Sequence, residues 1–152
     1  MTYVLGARSL GFCSHVDPRM MAVAKLAISL SAQDFGFTQE QSRTLAQEAE
    51  DVRRGVSHTM HSHHLIGPPY AAPGFSGAVD AVPWDGTAFK WDWALVYPIA
   101  SAFKAASLKL ATPITWGGAW GRLMSEIPGD DATSMKAAQV SWDGPHFELG
   151  RN

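Results

Sequence analysis

The run Trp142-Asp143-Gly144-Pro145-His146-Phe147-Glu148-Leu149 constrains this chain more than any other stretch. Gly-Pro forces a turn, and the residues after it alternate, so the segment reads as a turn feeding a terminal strand. On that strand His146 and Glu148 share one face, because side chains alternate. The turn brings Asp143, three residues before His146, back toward whatever the histidine grips. A second polar cluster lies far upstream, where four of the six histidines, His58, His61, His63 and His64, fall within seven residues. The next carboxylate on a predicted strand is Asp80, in Ala78-Val79-Asp80-Ala81-Val82.

Composition sets the frame for these clusters. With 152 residues, 46% of them hydrophobic and 17% charged, the chain can bury a core as one domain spanning 1–152, with no separate wall-binding module expected. No apolar run approaches the ~18 residues of a membrane helix, and the start MTYVLGARSLG lacks signal-peptide character. A net charge of −2 with dispersed Lys and Arg gives no field for a phosphate backbone, so neither nucleic acid nor membrane is an expected partner. The single Cys13 excludes an internal disulfide, and a catalytic role with His15 has only sequence adjacency behind it.

Asp17-Pro18 reads as an N-cap followed by proline at the first helical position, with an apolar stripe to about Ser31. Phe35 to Thr38 is a short strand candidate, and Ser42 to Arg54 a polar-faced helix ending at Gly55. Val56 to Pro83 is loop-like apart from the strand around Asp80. Trp91 to Leu110 is apolar at helical spacing but holds Pro98, which predicts a kinked or late-starting helix. Ile114-Thr115-Trp116 is a strand that stops at Gly117-Gly118, and 121–141 fits no template. Helices and short strands without βαβ alternation point to an α+β domain.

A histidine-dense loop can bind metal adventitiously on a surface. The terminal run favours a built site instead. Two neutral imidazoles and one carboxylate leave a zinc ion net positive with an open position, the ligand set of a catalytic centre. Such an ion lowers the pKa of its water to about 7 and polarises a carbonyl. Proton transfer then needs a further group, and Asp143 stands at the right distance in sequence from a ligand to serve. The residues alone leave open which of the upstream histidines is the ligand.

Taken in order, Arg43-Thr44, Thr59-Met60-His61-Ser62-His63-His64-Leu65, Ala78-Val79-Asp80, Trp116-Gly117-Gly118-Ala119-Trp120 and Asp143-Gly144-Pro145-His146-Phe147-Glu148-Leu149 resemble the signatures of the phage L-alanyl-D-glutamate endopeptidases. These are peptidoglycan endolysins related to the D-alanyl-D-alanine carboxypeptidases of the vancomycin-resistance type. The resemblance runs from the helix after Pro18 to Leu149. It implies a Hedgehog/D,D-peptidase fold, helices packed on a small antiparallel sheet. It also implies one catalytic zinc held by His64, Asp80 and His146, with Asp143 as general base. Arg43 resembles the arginine that meets a substrate carboxylate or the oxyanion, a task suited to a guanidinium fork. Gln47, one turn along the same helix, is a candidate substrate contact, as are Trp120 and Tyr70. Glu148 is a candidate to orient a ligand ring.

The sequence departs from the family pattern in three places. Roughly nine extra residues, Gly67 to Phe75, separate the first histidine from the aspartate, and their Pro and Gly content suits a loop that leaves and returns at nearby points. His63 stands where the family often has arginine, and Ala119 where it often has aspartate. The resemblance implies hydrolysis of a stem-peptide amide in bacterial peptidoglycan by a monomer made in the host cytoplasm and released through a phage holin. A D-alanyl-D-alanine carboxypeptidase, a non-catalytic zinc or wall-binding module and a histidine-rich metal carrier are the competing readings.

Overall fold

The computed structural model describes residues 2–57 and 59–150, so His58 lies outside the described residues. The elements in chain order are α1 (Ala7–Gly11), α2 (Pro18–Leu30), β1 (Phe35–Gly36), α3 (Leu45–Arg53), β2 (Ala78–Asp80), β3 (Val82–Pro83), α4 (Trp93–Lys109), β4 (Ile114–Trp116), a 3-10 turn at Met124–Glu126, α5 (Ala132–Ala138) and β5 (His146–Leu149). The domain is α+β, as its pattern predicts. None of the described helices is long and apolar enough to cross a membrane.

Helix α2 begins where Asp17 accepts a hydrogen bond from the Arg19 backbone N–H, with Pro18 in the first turn, where its missing N–H costs nothing. Its stripe of Met20, Val23, Ala24, Ala27 and Ile28 is fully buried against α4. Helix α3 starts later than the sequence suggests. A capping box sets its start: Thr44 Oγ1 accepts from Gln47 N at 3.2 Å, and Gln47 Oε1 accepts from Thr44 N at 2.7 Å.

Helix α4 also departs from expectation. It begins at Trp93 and continues through Pro98, so the late start is not observed. Asp92 caps the first turn by accepting from Ala94 N at 2.9 Å, and burial of Val96, Ile99, Ala100 and Phe103 offsets the backbone bond that Pro98 cannot donate. The region without a template, 121–141, is anchored by a lysine from the core. Lys104 is buried, and its Nζ donates to the carbonyls of Ile127 (2.7 Å) and Gly129 while meeting Asp130 at 2.9 Å.

Strand β5 is the centre of a three-stranded antiparallel sheet in the order β2-β5-β4, and β1 pairs with β3 separately. The register sets Asp80 opposite His146 and Ala78 opposite Glu148 on one side, with Trp116 opposite Phe147 on the other. Alternation along β5 then sends His146 and Glu148 to one face and Phe147 to the other. Phe147 stacks on Phe103 of α4 with ring centroids 3.8 Å apart, and both rings are fully buried. The polar face is thus fixed from behind by a core contact. Replacing Phe103 with Ala should cost about 3–5 kcal/mol of unfolding free energy in urea titrations. A loss under about 1 kcal/mol would show that the sheet is held by something other than this stack.

Candidate active site

The antiparallel register brings Asp80 and His146 together although 66 residues separate them, with Asp80 Oδ1 3.2 Å from His146 Nδ1. His64 arrives on a segment tied at both flanks. Arg43 N donates to the His64 carbonyl at 2.8 Å, and Gly77 N donates to the His63 carbonyl at 2.9 Å. The His64 ring is buried, and its Nδ1 lies 2.8 Å from the Gln41 carbonyl, which can only accept, so the proton sits on Nδ1 and Nε2 keeps its lone pair. That Nε2 points toward Asp80 Oδ2 at 3.2 Å without hydrogen-bond alignment, and it is a buried nitrogen with no hydrogen-bond partner. A bare lone pair facing a carboxylate in the interior is repulsive unless a cation lies between them. One ligand atom each from His64, Asp80 and His146 lies within 4.8 Å of the others. The donor set therefore fits a metal ion with bonds of about 2.0–2.2 Å to nitrogen and oxygen.

The surrounding residues orient these side chains. His146 Nε2 donates to Glu148 Oε1 at 2.9 Å, which directs its Nδ1 into the site. Glu148 Oε2 lies 2.7 Å from His63 Nδ1, and the His63 ring packs against Tyr70 with centroids 4.9 Å apart. Gln41, also buried, serves twice: besides its carbonyl to His64, its Oε1 accepts from Asp80 N at 2.7 Å. Asp143 closes the group from the turn before β5, with Oδ2 3.9 Å from His146 Nδ1. The turn itself is pinned by Trp116, whose indole N–H donates to the Gly144 carbonyl at 2.6 Å. Gly117 passes beneath it so closely that a Cβ there would collide with the Asp143 carbonyl and the His146 Cβ.

Charge divides the acids. Burial penalises the Asp80 carboxylate, but the imidazoles of His64 and His146 beside it outweigh that cost and hold Asp80 well below the ordinary range. Glu148, likewise opposed by burial, is pulled to about 2 by its hydrogen bond with His146 and by the His63 imidazole beside it. Asp143 shifts the other way. Burial raises it, and the neighbouring Asp80 and Glu148 add to the rise that His146 and His64 only partly offset. For His146 burial disfavours the cation, yet the hydrogen bonds to Asp80 and Glu148 carry it up to about 10.

The cavity over this cluster holds about 330 Å³ and includes Arg43, Trp120, Trp142 and Asp143 in its walls. Arg43 is anchored by Glu48 at 3.0 Å and lies 3.9 Å from Asp51. Trp120 packs on His146 with ring centroids 5.2 Å apart. Gln47 is exposed, spends its side chain on the α3 cap and does not line this cavity. Tyr70 lines a separate cavity of about 630 Å³ beside His63 and Arg19. The 67–75 insert returns on itself, with Gly67 N donating to the Phe75 carbonyl at 2.7 Å. Ala119 is fully buried. One residue that sequence reasoning did not single out for the site emerges here, Gln41, which carries no local signal; His63, already noted in the histidine cluster, shows its contact with Glu148 only after folding.

Two outcomes follow for the purified protein. Glu148→Ala should weaken zinc affinity about 10–100-fold in competition with a chromophoric chelator, and unchanged affinity would remove Glu148 as the orienting acceptor. The second concerns protein stripped of metal. Because His146 rises from about 6.5 to about 10, its stabilisation is full below about pH 6.5 and is lost as pH climbs toward 10. Asp80 and Glu148 are lowered, so their contribution is present above about pH 4.5 and lost in acid. Denaturation midpoints should therefore decline on the alkaline side in the stripped parent and decline less in stripped His146→Ala; equal declines would exclude His146 as their source.

The same architecture occurs in known proteins. The sequence profile of the family described as phage L-alanyl-D-glutamate peptidase matches residues 1–150. The L-alanyl-D-glutamate peptidase of Escherichia phage T5 is 28% identical over 153 residues, which covers 98% of this chain and 99% of the relative. The crystal structure of the L-Ala D-Glu endopeptidase ChiX of Serratia marcescens superposes with a TM-score of 0.70 at 27% identity, over 97% of this chain and 90% of that one. The fold is therefore of the Hedgehog/D,D-peptidase type, and the chain belongs to the phage L-alanyl-D-glutamate peptidase family.

Proposed function

We propose that this protein is a zinc-dependent endolysin that hydrolyses the amide between L-alanine and D-glutamate in the stem peptide of bacterial peptidoglycan. The observation that carries this reading is the convergence of His64, Asp80 and His146 beside Asp143, in a chain of this family. His64, Asp80 and His146 would hold the ion, with His64 Nε2 and His146 Nδ1 the nitrogens free to face it. Zinc there supplies a water of pKa about 7 and polarisation of the scissile carbonyl.

Asp143 is the general base. Burial raises its pKa, so its carboxylate is a stronger proton acceptor than an exposed aspartate, and it sits close enough to the ligands to reach a water held among them. It takes the water's proton and returns it to the departing amine of D-glutamate. Arg43, held by Glu48 at the cavity wall, offers its remaining N–H groups to the substrate's carboxylate or to the developing oxyanion. Trp120 walls the pocket against the His146 ring, while Glu148 and Gln41 hold the ligand rings and Asp80 in place. The catalytic domain acts as a monomer, reaching the wall after holin-type release.

Mass spectrometry of purified peptidoglycan incubated with the protein tests this directly. New N-termini at D-glutamate should appear, vanish with a chelator and return with zinc. Release of terminal D-alanine alone would change the substrate assignment, and no cleavage with one zinc bound per chain would make this a binding module. Asp143→Asn should keep stoichiometric zinc and lose about 10²–10⁴-fold in rate, whereas His146→Ala should lose the metal. Normal turnover by Asp143→Asn would remove Asp143 from the mechanism.

A further inference from the structure

Three of the six tryptophans stand open to solvent: Trp142 is 75% exposed, Trp91 69% and Trp120 41%. Single exposed apolar side chains need no explanation, but contiguous ones mark an interaction surface. These are contiguous with the active site. Trp120 and Trp142 wall the metal cavity, and Trp142 also walls a second, smaller cleft of about 140 Å³ with Trp91, Trp93 and Pro145. The indole of Trp142 is the partition between the two.

The cleft is firmly backed. Trp93 stacks on Tyr97 with centroids 5.5 Å apart, and the Tyr97 hydroxyl donates to Gln139 at 3.1 Å. Gly144 lies so close over Trp93 and Val96 that a Cβ there would come within 2.8 and 2.9 Å of them, so the turn that carries Asp143 rests on the floor of this cleft. Among the described residues no charged side chain lines it. The nearest basic residue in sequence, Lys90, lies 3.7 Å from Asp85, and Asp92 and Asp143 flank the aromatic residues. A polyanion or an anionic lipid surface finds no basic partner here. An uncharged ligand with apolar faces and polar edges suits it, since indole rings offer broad faces and one N–H donor.

Substrate chemistry supplies such a ligand at the required distance. On the carbonyl side of the bond assigned above, L-alanine is the only amino acid before the lactyl group of an N-acetylated muramic sugar. One residue plus a lactyl unit spans roughly 7 Å when extended. A sugar must therefore sit beside the cavity whenever the bond is positioned for cleavage. Pyranose rings present C–H faces that pack on indoles, and in this linkage the lactyl carboxyl is an uncharged amide. We infer that the surface formed by Trp142, Trp91 and Trp93 binds the glycan strand next to the scissile peptide, giving a small catalytic domain its grip on the wall. This inference rests on the peptidase reading for its geometry but can be tested without turnover.

The test pairs two measurements on the full chain with Trp91→Ala, Trp142→Ala and the double variant, all checked for an unchanged far-ultraviolet spectrum and zinc content. First, titration with N-acetylglucosamine trisaccharide should give saturable shifts of indole N–H resonances in the parent, with weakening of at least tenfold in the double variant. Second, the ratio of kcat/KM on a muramyl-linked stem to that on the free stem peptide should fall about tenfold or more in the double variant, with Trp91→Phe restoring part of the loss from Trp91→Ala. An active parent whose indoles ignore the sugar, or variants that lose both substrates equally, would overturn the glycan surface and leave the peptidase reading standing. An inactive parent that still binds the trisaccharide through Trp91 and Trp142 would do the reverse. Binding to anionic phospholipid vesicles in place of the sugar would also overturn it.

Discussion

The pairing of Asp80 with His146 across β2 and β5 is the constraint on which the rest of this structure depends. Antiparallel register is quantised in residues, and a slip of one would turn His146 into the core and Phe147 into the site. The stack of Phe147 on Phe103 resists that slip, because it would require burying an imidazole where a phenyl ring now packs. The core helix α4 and the active site are therefore two readings of one strand. Apolar burial on the back of β5 fixes the positions of polar groups on its front, with no need for the polar groups to find one another by their own attraction.

Once gathered, those groups pose an electrostatic problem that the surroundings solve unequally. Asp80 and Glu148 each face imidazoles and stay ionised despite burial, while Asp143 is raised chiefly by burial, which His146 and His64 only partly offset. Three acids within one cluster are thus set apart by their surroundings, which suits them to the different roles proposed for them. The orienting contacts on the rings matter as much. The Gln41 carbonyl and the Glu148 carboxylate each occupy one nitrogen of a histidine, so the other nitrogen is committed to the site. The arrangement of the three donor side chains is accordingly preorganised by the protein.

The departures from the family pattern are absorbed without disturbing this cluster. The 67–75 insert closes on itself through the Gly67–Phe75 backbone bond and lays Tyr70 against His63, so the added residues lengthen a wall beside the ligand set and do not separate it. His63 contacts Glu148 and thereby extends the chain of contacts behind His146. Ala119 sits in the core, while its neighbour Trp120 lines the cavity together with Trp142.

What the sequence determined by itself was local. Asp17-Pro18 starts a helix, Asp143-Gly144-Pro145 makes a turn, and alternation from His146 to Leu149 makes a strand with His146 and Glu148 on one face, because caps, turns and pleats act over two to four residues. The order of its motifs also resembled the family to which the chain belongs, and that resemblance implied a ligand set and a base. Tertiary structure decided whatever depends on contacts between distant segments. It selected His64 over its neighbours by burying that ring against Gln41, gave His63 and Gln41 their places, and assigned Gln47 to a helix cap. It carried α4 through Pro98 by burying its flanks, and it tied 127–130 to Lys104. None of these has a periodic or adjacent signature, since each follows from which surfaces pack together, and packing is a property of the whole chain.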